Sequence, residues 1–170
     1  LLASFDSPGT NPYGLAWHAI TSEGGYLWHA DFGTDKIYRL TTSGAIIFSF
    51  DSPGSNPTGL AWDGSNLWNA DIITKKIYKL DILGTILASF DSPGDAPQGL
   101  EWDSSNLWLA DANSNKIYKL NTSGTILASF DSPGPAPTGL AYDGGNLWHA
   151  DYNTDRIYKI AADSGLMLRA

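Results

Sequence analysis

PTGLAWDGSNLWNADIITKKIYKLDILGTILASFDSPG, residues 57–94, breaks into four short apolar runs separated by turn residues. Gly59-Leu60-Ala61-Trp62 is read as a first strand, ended by the turn Asp63-Gly64-Ser65-Asn66. Leu67–Asp71 is a second strand, followed by the polar loop Ile72–Lys75, and Lys76–Leu80 is a third. Gly84 ends the next turn, and Thr85–Phe90 is a fourth strand running into Asp91-Ser92-Pro93-Gly94. Gly, Asn, Asp and Pro punctuate every boundary because they tolerate the backbone angles that tight turns need. Helical periodicity is absent throughout the stretch.

The same stretch recurs. Trp28, Trp68, Trp108 and Trp148 are 40 residues apart, as are Phe50, Phe90 and Phe130. Leu15 to Leu60 is 45, because the first copy carries HAITSEGGY where the second has only DGSN. Four antiparallel strands in about forty residues cannot bury both faces of their own small sheet, but sheets stacked around an axis can. The expected fold is therefore all-β, a β-propeller array of four ~40-residue, four-stranded antiparallel blades. The blades fall at 12–50, 57–90, 97–130 and 137–170 within a single array spanning 1–170, with 1–5 an extra outer strand. A flat solenoid is the alternative architecture.

Composition fits many short strands. There are 18 glycines and, among Trp, Tyr and Phe, 7, 8 and 6 residues. The net charge of −8 argues against nucleic acid or an anionic membrane as partner, since either would be repelled. The acids are almost all turn aspartates, and the bases cluster around the K-I-Y-K segments. Without cysteine, disulfides and thiolate chemistry are excluded. No apolar run reaches the roughly 18 residues that insert as a helix across a bilayer. No signal peptide is visible, and the start at Leu1 rather than Met leads to the expectation of a preceding segment.

The run P-x-G-L-A-W-D-G-x-N-L-W-x-A-D-x-x-x-x-K-I-Y-K-L resembles the blade of NHL, YVTN and streptogramin-B-lyase-like propellers, over residues 12–169. The resemblance implies a propeller fold. It also implies rings of about six or seven blades, from which four departs. In lyases of this kind a His and Glu pair moves the proton. Here only Glu23 and Glu101 are present, and neither has a His at a matching position.

Asp31, Asp71, Asp111 and Asp151 close each second strand and are read as acceptors for backbone N–H groups of the following loop, in preference to a ring of cation ligands. Asp6, Asp51, Asp91 and Asp131 head ordinary D-S-P-G turns. Trp17, Trp62, Trp102 and Tyr142 on the innermost strands, and the four second-strand tryptophans, are read as packing between blades. His29 and His149 share one repeat position, where the other copies have Asn69 and Leu109. A metal site of two histidines without a third ligand is weak. His18 is read as a solvated loop residue.

Differences between copies concentrate after the D-S-P-G turn and after the second strand, and both connections leave one end of the blade. That end is expected to bind a glycan or protein ligand, with Tyr13, His29, Phe32, Asn69, Asn113, His149 and Tyr152 as candidate residues. The functional expectation is a non-enzymatic binding or scaffold module, extracellular or at a cell surface, without cofactor or metal. A propeller lyase or hydrolase acting on a small molecule and a purely architectural array, natural or engineered, stand as alternatives.

The termini pose a problem of closure. Leu1-Leu2-Ala3-Ser4-Phe5 matches Ile126–Phe130, an outer strand without its own blade, while Leu166–Arg169 is a second candidate for the last blade's outer strand. The local hairpin to Leu166–Arg169 closes the shorter loop and is favoured on entropy. Tryptophans on the innermost strands would crowd the axis of a small ring. Both considerations lead to the expectation of a homo-oligomer, a dimer completing a larger ring.

Overall fold

The computed structural model describes residues 4–20 and 24–162, and it is a propeller array. Blade one holds β1 (Pro12–Ile20), β2 (Gly24–Asp31), β3 (Lys36–Leu40) and β4 (Ile46–Asp51). Blade two holds β5 (Pro57–Trp62), β6 (Leu67–Asp71), β7 (Lys76–Leu80) and β8 (Ile86–Asp91). Blade three holds β9 (Pro97–Trp102), β10 (Leu107–Asp111), β11 (Lys116–Leu120) and β12 (Ile126–Asp131). Blade four holds β13 (Pro137–Tyr142), β14 (Asn146–Asp151) and β15 (Arg156–Ala161). Each sheet is a simple antiparallel meander in chain order, and no helix occurs among the described residues. The expected outer strand at Leu166–Arg169 lies outside the described residues, as does Leu1–Ala3.

One packing unit repeats between successive blades. Ala16, Trp28, Ala30 and Ile37 of blade one bury against Leu60, Leu67, Tyr78 and Leu80 of blade two. Ala61, Trp68, Ala70 and Ile77 repeat the arrangement against Leu100, Leu107, Tyr118 and Leu120. Inner strands approach so closely that a Cβ on Gly14 would strike the Thr58 carbonyl, and one on Gly59 the backbone of Gln98 and Leu100. Glycine stands at these positions because only hydrogen fits in the gap.

The second-strand aspartates act as loop clamps. Asp71 accepts hydrogen bonds from Asn56 N (2.8 Å), Thr74 N (2.7 Å) and Thr74 Oγ1 (2.8 Å), tying the two variable connections of the blade together. Asp31 does the same for Asn11 N, Gly33 N and Thr34 N. Burial alone would raise the Asp31 pKa, but the donors outweigh it and hold it below the ordinary carboxylate range. The D-S-P-G aspartates make exposed ion pairs with the first lysine of the third strand, Lys76 to Asp91 and Lys116 to Asp131, each at 2.6 Å.

A third motif closes the far end of each blade. The Trp68 indole donates to Asp63 Oδ2 at 2.9 Å, and Lys79 lies 5.1 Å from the same ring centroid. Blades three and four repeat it with Trp108, Asp103 and Lys119, and with Trp148, Asp143 and Lys159. Hydrogen bonds from the Trp148 indole and Asn146 hold the Asp143 pKa at about 2. Blade one has lost this aspartate to its insertion. Arg39 stacks over Tyr26 and Trp28 instead, and Trp28 Nε1 and Arg39 Nε, both buried, have no hydrogen-bond partner among the described residues. His18 is not the solvated loop residue expected: it lies on β1 and stacks on Trp62, ring centroids 3.9 Å apart.

The two ends of the array differ from its middle. β5 and β6 are buried on both faces, whereas β13 and β14 alternate buried and exposed, as a sheet covered on one face must. Blades one and four thus each keep one face uncovered by another blade.

Candidate functional site: the axial cleft

The inner strands β1, β5, β9 and β13 surround a cleft of about 510 Å³. Its wall is the repeated Gly-Leu pair, Gly14-Leu15, Gly59-Leu60, Gly99-Leu100 and Gly139-Leu140. The residue before each glycine also lines it, and this position is where the copies disagree: Tyr13, Thr58, Gln98 and Thr138. A constant apolar wall therefore carries one variable polar ring. The Tyr13 hydroxyl donates to Gln98 Oε1 at 2.7 Å, bridging blade one to blade three. Tyr152 closes the mouth and is 77% exposed. Partial burial raises the Tyr13 pKa, so its hydroxyl stays protonated as a donor at neutral pH.

The inner-strand aromatics do not crowd this cleft. Trp62 and Trp102 pack between blades, so the steric case for a wide ring built on them is removed.

The expected site residues separate into two groups. Tyr13 and Tyr152 line the cleft, and Phe32 stacks on Tyr13 with centroids 5.7 Å apart. Asn113 is exposed on the loop after β10, outside the cleft lining. His29, Asn69 and His149 are buried inside their own blades and hold the turn serine that precedes each blade. His29 Nε2 shares a hydrogen bond with Ser7 Oγ (3.1 Å), Ser52 Oγ donates to Asn69 Oδ1 (3.2 Å), and His149 Nε2 pairs with Ser132 Oγ (3.2 Å). Burial lowers the pKa of both histidines, against the opposing hydrogen bonds they donate to the Gly14 and Ala150 carbonyls and the pull of Asp31 and Asp151. They are neutral turn latches at pH 7. Among the described residues no group of three or more His, Asp or Glu could hold a metal ion.

Sequence reading missed Gln98, Thr58 and Thr138 as lining residues. Their signal was present: a variable residue inside an otherwise constant P-x-G-L motif. Glu101 stands where the other copies have Ala, on β9, and its burial raises its pKa.

No protein-family model and no curated protein sequence matches the chain. Solved structures do. The fold is a β-propeller, similar to that of streptogramin B lyases. The array superposes on virginiamycin B lyase from Staphylococcus aureus with a TM-score of 0.65 at 23% identity, over 94% of this chain and 58% of that one. Glutaminyl cyclase from Myxococcus xanthus gives 0.76 at 13% identity, covering 94% and 69%. The computationally designed protein Ika4 gives 0.64 at 14% identity, covering 92% and 95%. The array thus spans little more than half of the lyase, and at these identities the likeness concerns fold. The resemblance read from the repeat is borne out at that level.

Proposed function

We propose that the chain is a non-enzymatic binding module whose axial cleft takes a glycan. The observation that carries this reading is the variable ring of Tyr13, Thr58, Gln98 and Thr138 on a constant leucine and glycine wall. Tyrosine faces suit the apolar face of a sugar ring, while the amide of Gln98 and the hydroxyl of Thr138 suit its hydroxyls. The Thr58 hydroxyl is buried and donates to the Ala70 and Pro97 carbonyls. The lining contains no carboxylate, imidazole or amine among the described residues, which supports binding over acid–base chemistry. Such a role belongs at a cell surface or outside the cell.

The test is a glycan array followed by calorimetry on the hit. Tyr152→Ala is expected to weaken binding at least ~10-fold, the loss of one or two contacts, with the thermal midpoint unchanged. Gln98→Ala is expected to weaken it similarly but also to lower the midpoint, because it breaks the Tyr13 bridge. Capture of a protein ligand in place of any glycan would move the reading to a protein partner. Turnover of a bound small molecule would replace it with the lyase reading.

A further inference from the structure

Blades one and four carry the two unmatched halves of an interface that the chain makes three times within itself. Three of the four blades present an Ala-Trp-Ala-Ile face that the next blade buries: Trp28, Trp68 and Trp108 are at most 1% exposed, and Ile37, Ile77 and Ile117 are 0%. On blade four the equivalents Trp148 and Ile157 are 37% and 75% exposed, and Ala141 and Ala150 are exposed beside them. Gly14, Gly59 and Gly99 are buried, but Gly139 is exposed and a Cβ there would meet only Ala150. The complementary face of blade one is bare at its inner strand, where Leu15 and Trp17 are 59% and 50% exposed although Leu60 and Leu100, the counterparts of Leu15, are 2% and 3%. Tyr38 and Leu40 farther out on the same face are buried.

The N-terminal stretch points to what covers them. A Cβ on Gly84 would meet Phe50, the outer-strand phenylalanine of the preceding blade, and one on Gly124 would meet Phe90. The matching position in blade one, Gly44, meets Phe5. Phe5 therefore sits where an outer-strand residue of a blade preceding blade one belongs. Asp6 follows it as Asp51, Asp91 and Asp131 follow their own phenylalanines. Those three aspartates pair with Lys36, Lys76 and Lys116 at the start of the third strand. In blade four that cation is Arg156, which is exposed and has no ion-pair partner among the described residues.

We propose that two copies of this chain join head to tail into one closed eight-bladed ring. The Trp148 and Ile157 face of each copy covers the Leu15 and Trp17 face of the other, and Asp6 of each pairs with Arg156 of the other. The contact is heterologous, so it must close in a ring or grow into a filament. The chain's own two faces do not meet. Two copies make the smallest ring that separate chains can close through this contact. The axial cleft, walled here by four inner strands, would be completed by the partner's four. The assembly does not rest on the glycan reading, since its driving force is burial of the blade faces.

Sedimentation equilibrium of the full chain at micromolar concentration tests this, with a mass of twice 18.3 kDa expected. Ile157→Glu and Leu15→Glu each place a carboxylate on a face that is exposed in the single chain and buried in the ring. Each is expected to keep the strand circular dichroism and to weaken dimerisation at least ~100-fold, because each ring would bury two unpaired charges. A folded wild-type monomer overturns the proposal, as does a mass of three or more copies. A dimer that survives either substitution overturns the pairing of these faces, and either variant decides alone.

Discussion

Trp28 and Trp68 occupy the same repeat position, are both fully buried, and differ in one hydrogen bond. Trp68 gives its indole proton to Asp63, whereas Trp28 finds no acceptor for its own among the described residues. Replacing each by Phe removes the same ring atoms but opposite polar consequences follow. Trp68→Phe strips a donor from a partly buried aspartate, and Trp28→Phe removes a buried donor that already lacks an acceptor. Trp68→Phe is therefore expected to cost about 1–2 kcal/mol more than Trp28→Phe, the contribution of one hydrogen bond to a carboxylate that keeps its Ser65 and Asn66 amide donors. Urea unfolding of both variants measures the difference, and equal losses would mean that the indole bond contributes nothing. The sequence marks Trp28 as the odd copy through the insertion, which puts Glu23 five residues before it where the other blades have aspartate.

Strand pairs depend on their clamps. The loop Ile72–Lys75 between β6 and β7 and the segment entering β5 are held by one carboxylate, Asp71, which is fully buried. Asp71→Ala would leave the Asn56 and Thr74 amides without their charged acceptor. A loss of about 3 kcal/mol is expected, since hydrogen bonds to charged groups carry about 1.5–3 kcal/mol each and are not additive. Hydrogen exchange should localise the damage, with Asn56 and Thr74 amides deprotected and the β7–β8 pairing retained. Uniform loss of protection would instead mean that blade two opens as a whole. At this scale the sequence was legible almost completely. Short apolar runs, turn residues and a forty-residue step specify each hairpin locally, and the observed strands follow from them. The buried positions of His29, Asn69 and His149 were not legible, because alternation tells which face a side chain takes but not whether a neighbouring turn will cap it.

Acid should loosen the whole molecule in two stages. His29 and His149 have pKa values below their ordinary 6.5, so the unfolded chain takes up their protons first and stability falls as pH drops below that value. Asp31, Asp63, Asp103 and Asp151 are held below their ordinary 3.8, so their contribution persists above 3.8 and is lost as pH falls further. Both shifts have the same sign. The buried Glu101, whose pKa is raised, acts the other way and offsets part of the loss between the two stages. The denaturation midpoint should therefore decline in two steps, one below 6.5 and one below 3.8. His149→Leu, which copies the residue of blade three, should shrink the upper stage only. A variant whose decline between pH 7 and 5 matches wild type would show that His149 is not buried in solution.

By itself the sequence determined the blade: its four strands, its turns, its repeat and the tryptophan core between copies. Those follow from local turn chemistry and from a period-two apolar pattern that only stacked sheets can bury. The tertiary structure alone decided which polar residues share a space. Tyr13, Gln98 and Tyr152 converge on the axis from blades one, three and four, separated by up to 139 residues of chain. It also decided that the array has two unmatched ends. A repeat tells every copy to pack on a neighbour, and it carries no information about the first and last. Their exposed faces appear only when the curvature of the stack is known, because curvature sums small rotations that no single blade specifies.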